Sequence, residues 1–150
     1  MIFLSYRRED TQLAVQNLLY PRLVSEFPGD VFLDIDSIPY GAKSFPEELR
    51  LTLDRSRVVL AVIGDKWLSI ADREQGGRRI DNPEDFVHQE IAAALARPDV
   101  KLVPVILPGA AFPRAEQLPQ PLRPLVDCNG IELPPGPAFE TYLQRLIADV

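Results

Sequence analysis

Five short apolar runs alternating with helical patterns constrain this chain more than any other feature. The runs are Ile2 to Tyr6, Val31 to Ile35, Val58 to Ile63, Leu102 to Leu107 and Leu125 to Ile131. Rich in Val, Ile, Leu and Phe without strict alternation, they read as strands covered on both faces. Thr11 to Phe27 has helical character, with Pro21 expected to kink or split it, and so do Phe45 to Arg55 and Pro83 to Arg97. A last helix, Phe139 to Val150, puts Phe139, Tyr142, Leu143, Leu146, Ile147 and Val150 on one face. The alternation predicts an α/β fold: a doubly wound five-stranded parallel sheet with helices on both faces. A length of 150 residues suits a single domain over residues 1–150, burying about two thirds of its unfolded surface. A terminal amphipathic helix is also compatible with one module of a longer protein.

Charge and side-chain chemistry exclude several functions. With 22 acidic and 16 basic residues the net charge is -6, so direct binding to nucleic acid or to an anionic membrane surface is not expected. Cys128 is the one cysteine and His88 the one histidine, so neither an internal disulfide nor a metal site is expected. A reducing, cytoplasmic setting fits best. No leader is read after Met1, and no apolar stretch approaches the roughly 20 residues of a membrane span.

In a doubly wound sheet, ligands bind beyond the carboxyl ends of the strands. The loops to inspect are therefore Tyr6 to Asp10, Asp36 to Ser44 and Gly64 to Asn82, the last far longer than a usual connection. Leu107 to Pro124 and Leu133 to Pro137 are Pro-rich connections. No GxGxxG follows the first strand and no GxxxxGK[ST] occurs, so the common phosphate cradles are missing. Paired acids of a phosphate-accepting receiver are replaced by Arg7-Arg8-Glu9, and no Gly-x-Ser-x-Gly elbow is present.

Three stretches remain. Phe3-Leu4-Ser5-Tyr6-Arg7-Arg8-Glu9-Asp10 runs a strand into two arginines, which are either a solvated loop tip or a pair of anion-binding side chains. In Val31 to Glu47, Ser44 and Glu47 have capping-box spacing and Gly41 frees the turn before them. Asp34 is either a strand-end acid satisfied by backbone donors or a ligand contact. In the third stretch Asn82 is a candidate N-cap, Pro83 suits the first helical position, and Glu84 and Asp85 suit the positive helix end. Phe86, Val87, Ile91, Ala94 and Leu95 form an apolar arc, with Glu90 inside it and His88 pointing away as a solvated surface residue. An acid in such an arc must be paired, protonated or placed at a cleft. A structural salt bridge and a functional cleft acid both satisfy that condition.

Taken in order, these stretches resemble the Toll/interleukin-1 receptor (TIR) domain over nearly the whole chain. Phe3 to Arg8 is similar to the family's first box, Leu33 to Glu47 to its second strand and BB loop, and Phe86 to Glu90 to its WxxxE-type helix motif. The family fold is flavodoxin-like, in agreement with the alternation. The resemblance is strongest to the bacterial, NAD-consuming type, whose stretches SYRR and WVHKEI are similar to Ser5 to Arg8 and Phe86 to Ile91. It implies an NAD glycohydrolase or cyclase with Glu90 as the catalytic acid. Tyr6, Arg7, Arg8, Asp34, Phe45, Trp67 and Phe86 would surround the dinucleotide, with NAD as substrate and no separate cofactor. Phe86 departs from the usual tryptophan, keeping a stacking face and losing the indole donor. The resemblance also implies self-assembly with other TIR domains through the BB loop, residues 36–44, and a role as a defence effector. Its competitor is a non-catalytic TIR adaptor acting through TIR–TIR contacts alone.

Overall fold

The computed structural model describes residues 1–33 and 45–150, with Phe45 and Pro46 described by backbone alone. Five parallel strands, β1 (Ile2–Tyr6), β2 (Val31–Leu33), β3 (Val58–Ile63), β4 (Lys101–Ile106) and β5 (Ile131–Glu132), form one sheet in the order β2-β1-β3-β4-β5. Leu4 pairs with Leu33 on one side and with Leu60 on the other, and Leu60 pairs in turn with Val103. Every residue of β1 and β3 is buried, as a sheet covered on both faces requires.

Successive residues of the strands feed two separate cores. Leu4, Leu60, Val62, Val103 and Val105 face Leu19, Leu23, Leu143 and Leu146 on one side. Phe3, Val59, Ala61 and Ile63 face Leu49, Leu53, Ile91 and Leu122 on the other. Each of the fully buried Leu and Ile side chains contributes about 1.5–3 kcal/mol of transfer free energy. The first core is closed by α1 (Arg8–Ala14), α2 (Tyr20–Glu26) and α5 (Ala138–Asp149). The second is closed by α3 (Phe45–Arg55), α4 (Phe86–Leu95) and the 3₁₀ segment Gln120–Asp127. The doubly wound parallel sheet expected from the alternation is therefore the fold.

Three local expectations are corrected. The first helical run begins at Arg8 rather than Thr11, and it passes Pro21 without breaking. A π-helical turn, Val15–Leu19, precedes that proline and accommodates its missing N–H and bulky ring. Leu125 to Val126 belong to a 3₁₀ segment and not to the fifth strand, which is only Ile131–Glu132. Pro119, Pro121 and Pro124 withhold ladder donors there, and Leu122 and Leu125, three apart and fully buried, are the face that a three-residue turn presents. Finally, α4 starts at Phe86, capped by Asp85 and not by Asn82, for a reason that belongs to the site. The residue spans of β2 beyond Leu33 and of the Ser44–Glu47 capping box reach outside the described residues. Among the described residues, no helix is long and apolar enough to cross a membrane.

Candidate functional site

The site is built where the end of β1 meets the start of α4. Tyr6, the last residue of β1, is buried, and Arg7 follows it in extended conformation at the N-cap of α1. The Arg7 side chain is only 3% exposed; its two terminal nitrogens donate to the two carboxylate oxygens of Asp85 at 3.0 and 2.9 Å. One of those oxygens also accepts from the backbone N–H of His88 at 3.0 Å, so a single carboxylate both caps α4 and pairs with a buried guanidinium. Asn82 instead closes the turn before the helix, where its Oδ1 accepts from the Glu84 N–H at 2.9 Å. A cap alone is worth about 1 kcal/mol; the buried bidentate pair with Arg7 favours Asp85 over Asn82 as the cap.

His88 is buried rather than solvated, and its Nδ1 lies 2.6 Å from the carbonyl oxygen of Ile80. That contact docks the 3₁₀ turn Arg79–Asp81 onto α4. The same turn is tied down by Arg78, which donates to the Asp81 carboxylate and to the Gln117 carbonyl. Helical periodicity alone missed this second buried face because its cover comes from the long loop and not from the sheet.

Between β1's end and α4 lies a cavity of about 190 Å³. Tyr6, Arg7 and Arg8 line it from the strand side, and Phe86, Val87 and Glu90 from the helix. Glu90 is 1% exposed, whereas Phe86 stands at the mouth and is 56% exposed. Arg79 and Glu9 close the rim, joined by an ion pair at 2.8 Å. Burial pushes the Glu9 carboxyl up, but the Arg79 hydrogen bond and neighbouring positive charge outweigh it and hold the group below its usual value. A second cavity of about 440 Å³ adjoins the first and shares Arg79, Asp85 and Phe86 with it.

The sequence-derived candidates thus divide. Tyr6, Arg7, Arg8, Phe86 and Glu90 come together around one cavity. Trp67 does not line it: the indole is 1% exposed, packed in the core cluster that holds Ile80, Val87 and Ile91. The loop turns inward there because Asp10 accepts from the N–H groups of Gly64 and Lys66, both at 3.0 Å, which pins the start of the loop to α1. Asp34, the Phe45 side chain and residues 36–44 lie outside the described residues. Asp85, Arg79 and Glu9 were not among the candidates. A larger cavity of about 670 Å³ lies against α1 and α5, lined by Leu13, Leu18, Leu107 and Phe139 among others, and includes neither Phe86 nor Glu90. Size favours that cavity; the smaller one is distinguished by the buried Glu90 carboxylate beside the exposed ring of Phe86.

A family model described as the TIR domain matches residues 2–147. The chain belongs to the TIR domain family. No curated protein matches it. The match takes in both walls of the Glu90 cavity, the β1 end at Ser5 to Arg8 and the α4 segment Phe86 to Glu90. In this TIR domain the two stretches are joined physically by the Arg7–Asp85 pair.

Proposed function

We propose that this TIR domain releases nicotinamide from NAD, with Glu90 as the acid that acts on the ribose. The observation that carries the reading is the placement of Glu90: a 1% exposed carboxylate in a cavity whose mouth is formed by the exposed ring of Phe86. Breaking the bond between ribose C1 and the nicotinamide nitrogen turns a cationic leaving group into a neutral one, so no general acid is needed. Positive charge develops on the ribose, as in an oxocarbenium-like glycosyl transfer. A carboxylate held in surroundings of low dielectric stabilises that charge more strongly than it would in water. Phe86 offers a stacking face for the nicotinamide ring. Capture of the ribose cation by water gives ADP-ribose, and capture by an adenine nitrogen gives a cyclic isomer.

A second reading, a TIR adaptor working only through TIR–TIR contacts, draws support from α1 and the π turn after it. Leu13 is 75% exposed and Leu18 47%, both beside the larger cavity, and grouped exposed apolar side chains mark interaction surfaces. The deciding experiment is nicotinamide release from NAD at high protein concentration, run beside Glu90→Ala with matched folding by circular dichroism. Release that disappears in the variant supports the NADase. An absence of release from a self-associated wild-type sample refutes it and leaves the adaptor.

A further inference from the structure

Arg7, the arginine that the sequence offered for phosphate binding, is committed elsewhere. Its terminal nitrogens both donate to Asp85 and its side chain is 3% exposed, so turning it toward a ligand would strand a buried carboxylate. The cavity around Glu90, at about 190 Å³, is smaller than the roughly 300–1,000 Å³ of sites that enclose a whole ligand. A dinucleotide seated with its nicotinamide end there must leave over the rim. The adjoining cavity of about 440 Å³ shares three residues with the first, Arg79, Asp85 and Phe86. Of these three only Arg79 is a cation, and it stands where the two halves of a dinucleotide would be joined.

We infer that Arg79 binds the diphosphate of the dinucleotide, and that Glu9 occupies its guanidinium until substrate arrives. This rests on the NADase reading and adds a residue and an exchange to it. The Arg79–Glu9 pair suits exchange: the side chains are 33% and 54% exposed, and an ion pair so wetted holds by no more than a small margin. A diphosphate offers the guanidinium a doubly charged, bidentate acceptor in place of one carboxylate. The backbone under Arg79 is meanwhile fixed, by His88 at Ile80 and by Arg78 at Asp81 and Gln117. Of the acids around the second cavity, Asp72 already accepts from Asn82 and from the N–H groups of Glu74 and Gln75, and Asp85 is held by Arg7.

The test compares nicotinamide release from NAD with release from nicotinamide riboside, which carries the scissile bond and no phosphate. Arg79→Ala should lower kcat/KM for NAD by about ten- to a hundred-fold, the range for losing a hydrogen bond to a charged group, mostly through KM. The ratio of NAD to nicotinamide riboside efficiency should fall by the same factor, and Arg79→Lys should restore part of it. Glu9→Gln should lower KM for NAD by about two- to five-fold, as expected for removing an exposed competitor. A ratio that Arg79→Ala leaves unchanged, or that falls only in Arg8→Ala, overturns the assignment while the NADase stands. Failure of the wild type to cleave either compound defeats the NADase reading itself, and this inference with it.

Discussion

Asp85→Ala, at the N-cap of α4, should destabilise this domain strongly. The carboxylate is 11% exposed and does two jobs, pairing with Arg7 and capping the helix at the His88 N–H. Stranding one member of a buried ion pair costs about 3–5 kcal/mol, and losing an N-cap costs about 1 kcal/mol. Because one group supplies both, the costs do not add fully, and a total of about 4 kcal/mol is expected. That is a large share of the roughly 5–15 kcal/mol that domains possess. With a urea slope of about 2 kcal/mol per molar, the unfolding midpoint should fall by about 2 M. Asp85→Asn keeps an acceptor for the His88 N–H while removing the charge, so it should recover about 1 kcal/mol of the loss. Arg7→Met combined with Asp85→Asn removes both charges, and the double variant should be less damaged than the summed singles by at least about 1.5 kcal/mol. A cost below about 1 kcal/mol for Asp85→Ala, or additive singles, would refute the idea that this pair holds the site's two walls together.

Two further outcomes concern the first turn of α1, where it meets the loop after β3. A Cβ on Gly64 would collide with the Asp10 carboxylate and the Thr11 methyl group, and Asp10 is anchored by two backbone donors. Gly64→Ala should therefore cost about 2 kcal/mol and lower Tm by about 4–8 °C in a thermal melt. Burial raises the Asp10 carboxyl above its usual value, the Lys66 and Gly64 N–H groups work against this, and the neighbouring Asp65 adds to the rise. A folded-state value above the unfolded 3.8 means that Asp10 favours folding fully below that pH and loses the contribution as pH rises through the folded value. Asp65→Asn removes the like charge, so it should stabilise the domain by about 0.3 kcal/mol at neutral pH after solvent screening. The gain should vanish at acid pH, once Asp10 has taken up its proton; an equal gain at neutral and acid pH would show that charge is not its cause.

Much of the fold was legible because strand burial writes itself into composition. β1 and β3 coincide with the apolar runs Ile2 to Tyr6 and Val58 to Ile63, since residues on both faces of a central parallel strand must be apolar. The same reasoning failed at Leu125 and Val126. An apolar pair there reads equally as strand or as the buried side of a 3₁₀ turn, and only the flanking prolines argue for the turn. Pro21 shows the converse, because a breaker by propensity was absorbed by widening the preceding turn.

The site was legible only as far as it is local. Glu90 stood out because an acid four residues after Phe86 interrupts an apolar arc, a contradiction visible within one helix. Asp85 could have been found as a capping residue, but its preference over Asn82 is set by Arg7, 78 residues away, and no local rule reports that. Trp67, His88 and Arg79 share one cause of error. Residues 64–82 were read as a long loop to inspect for ligand contacts, yet two of its side chains turn inward: Trp67 enters the core, Ile80 is buried, and His88 receives the loop on a helix face that periodicity assigned to solvent. A loop held in this way can carry a charged side chain to the rim of a cavity and keep its backbone fixed there. An Arg on a helix of the scaffold would have announced itself by position. Arg79 takes its meaning from three contacts made by its neighbours, Ile80 to His88, Arg78 to Asp81 and Arg78 to Gln117, and from a partner, Glu9, that lies 70 residues earlier. A partly exposed arginine in a solvent-wetted ion pair is therefore mounted on an anchored turn, which is the combination that the proposed binding of a diphosphate requires.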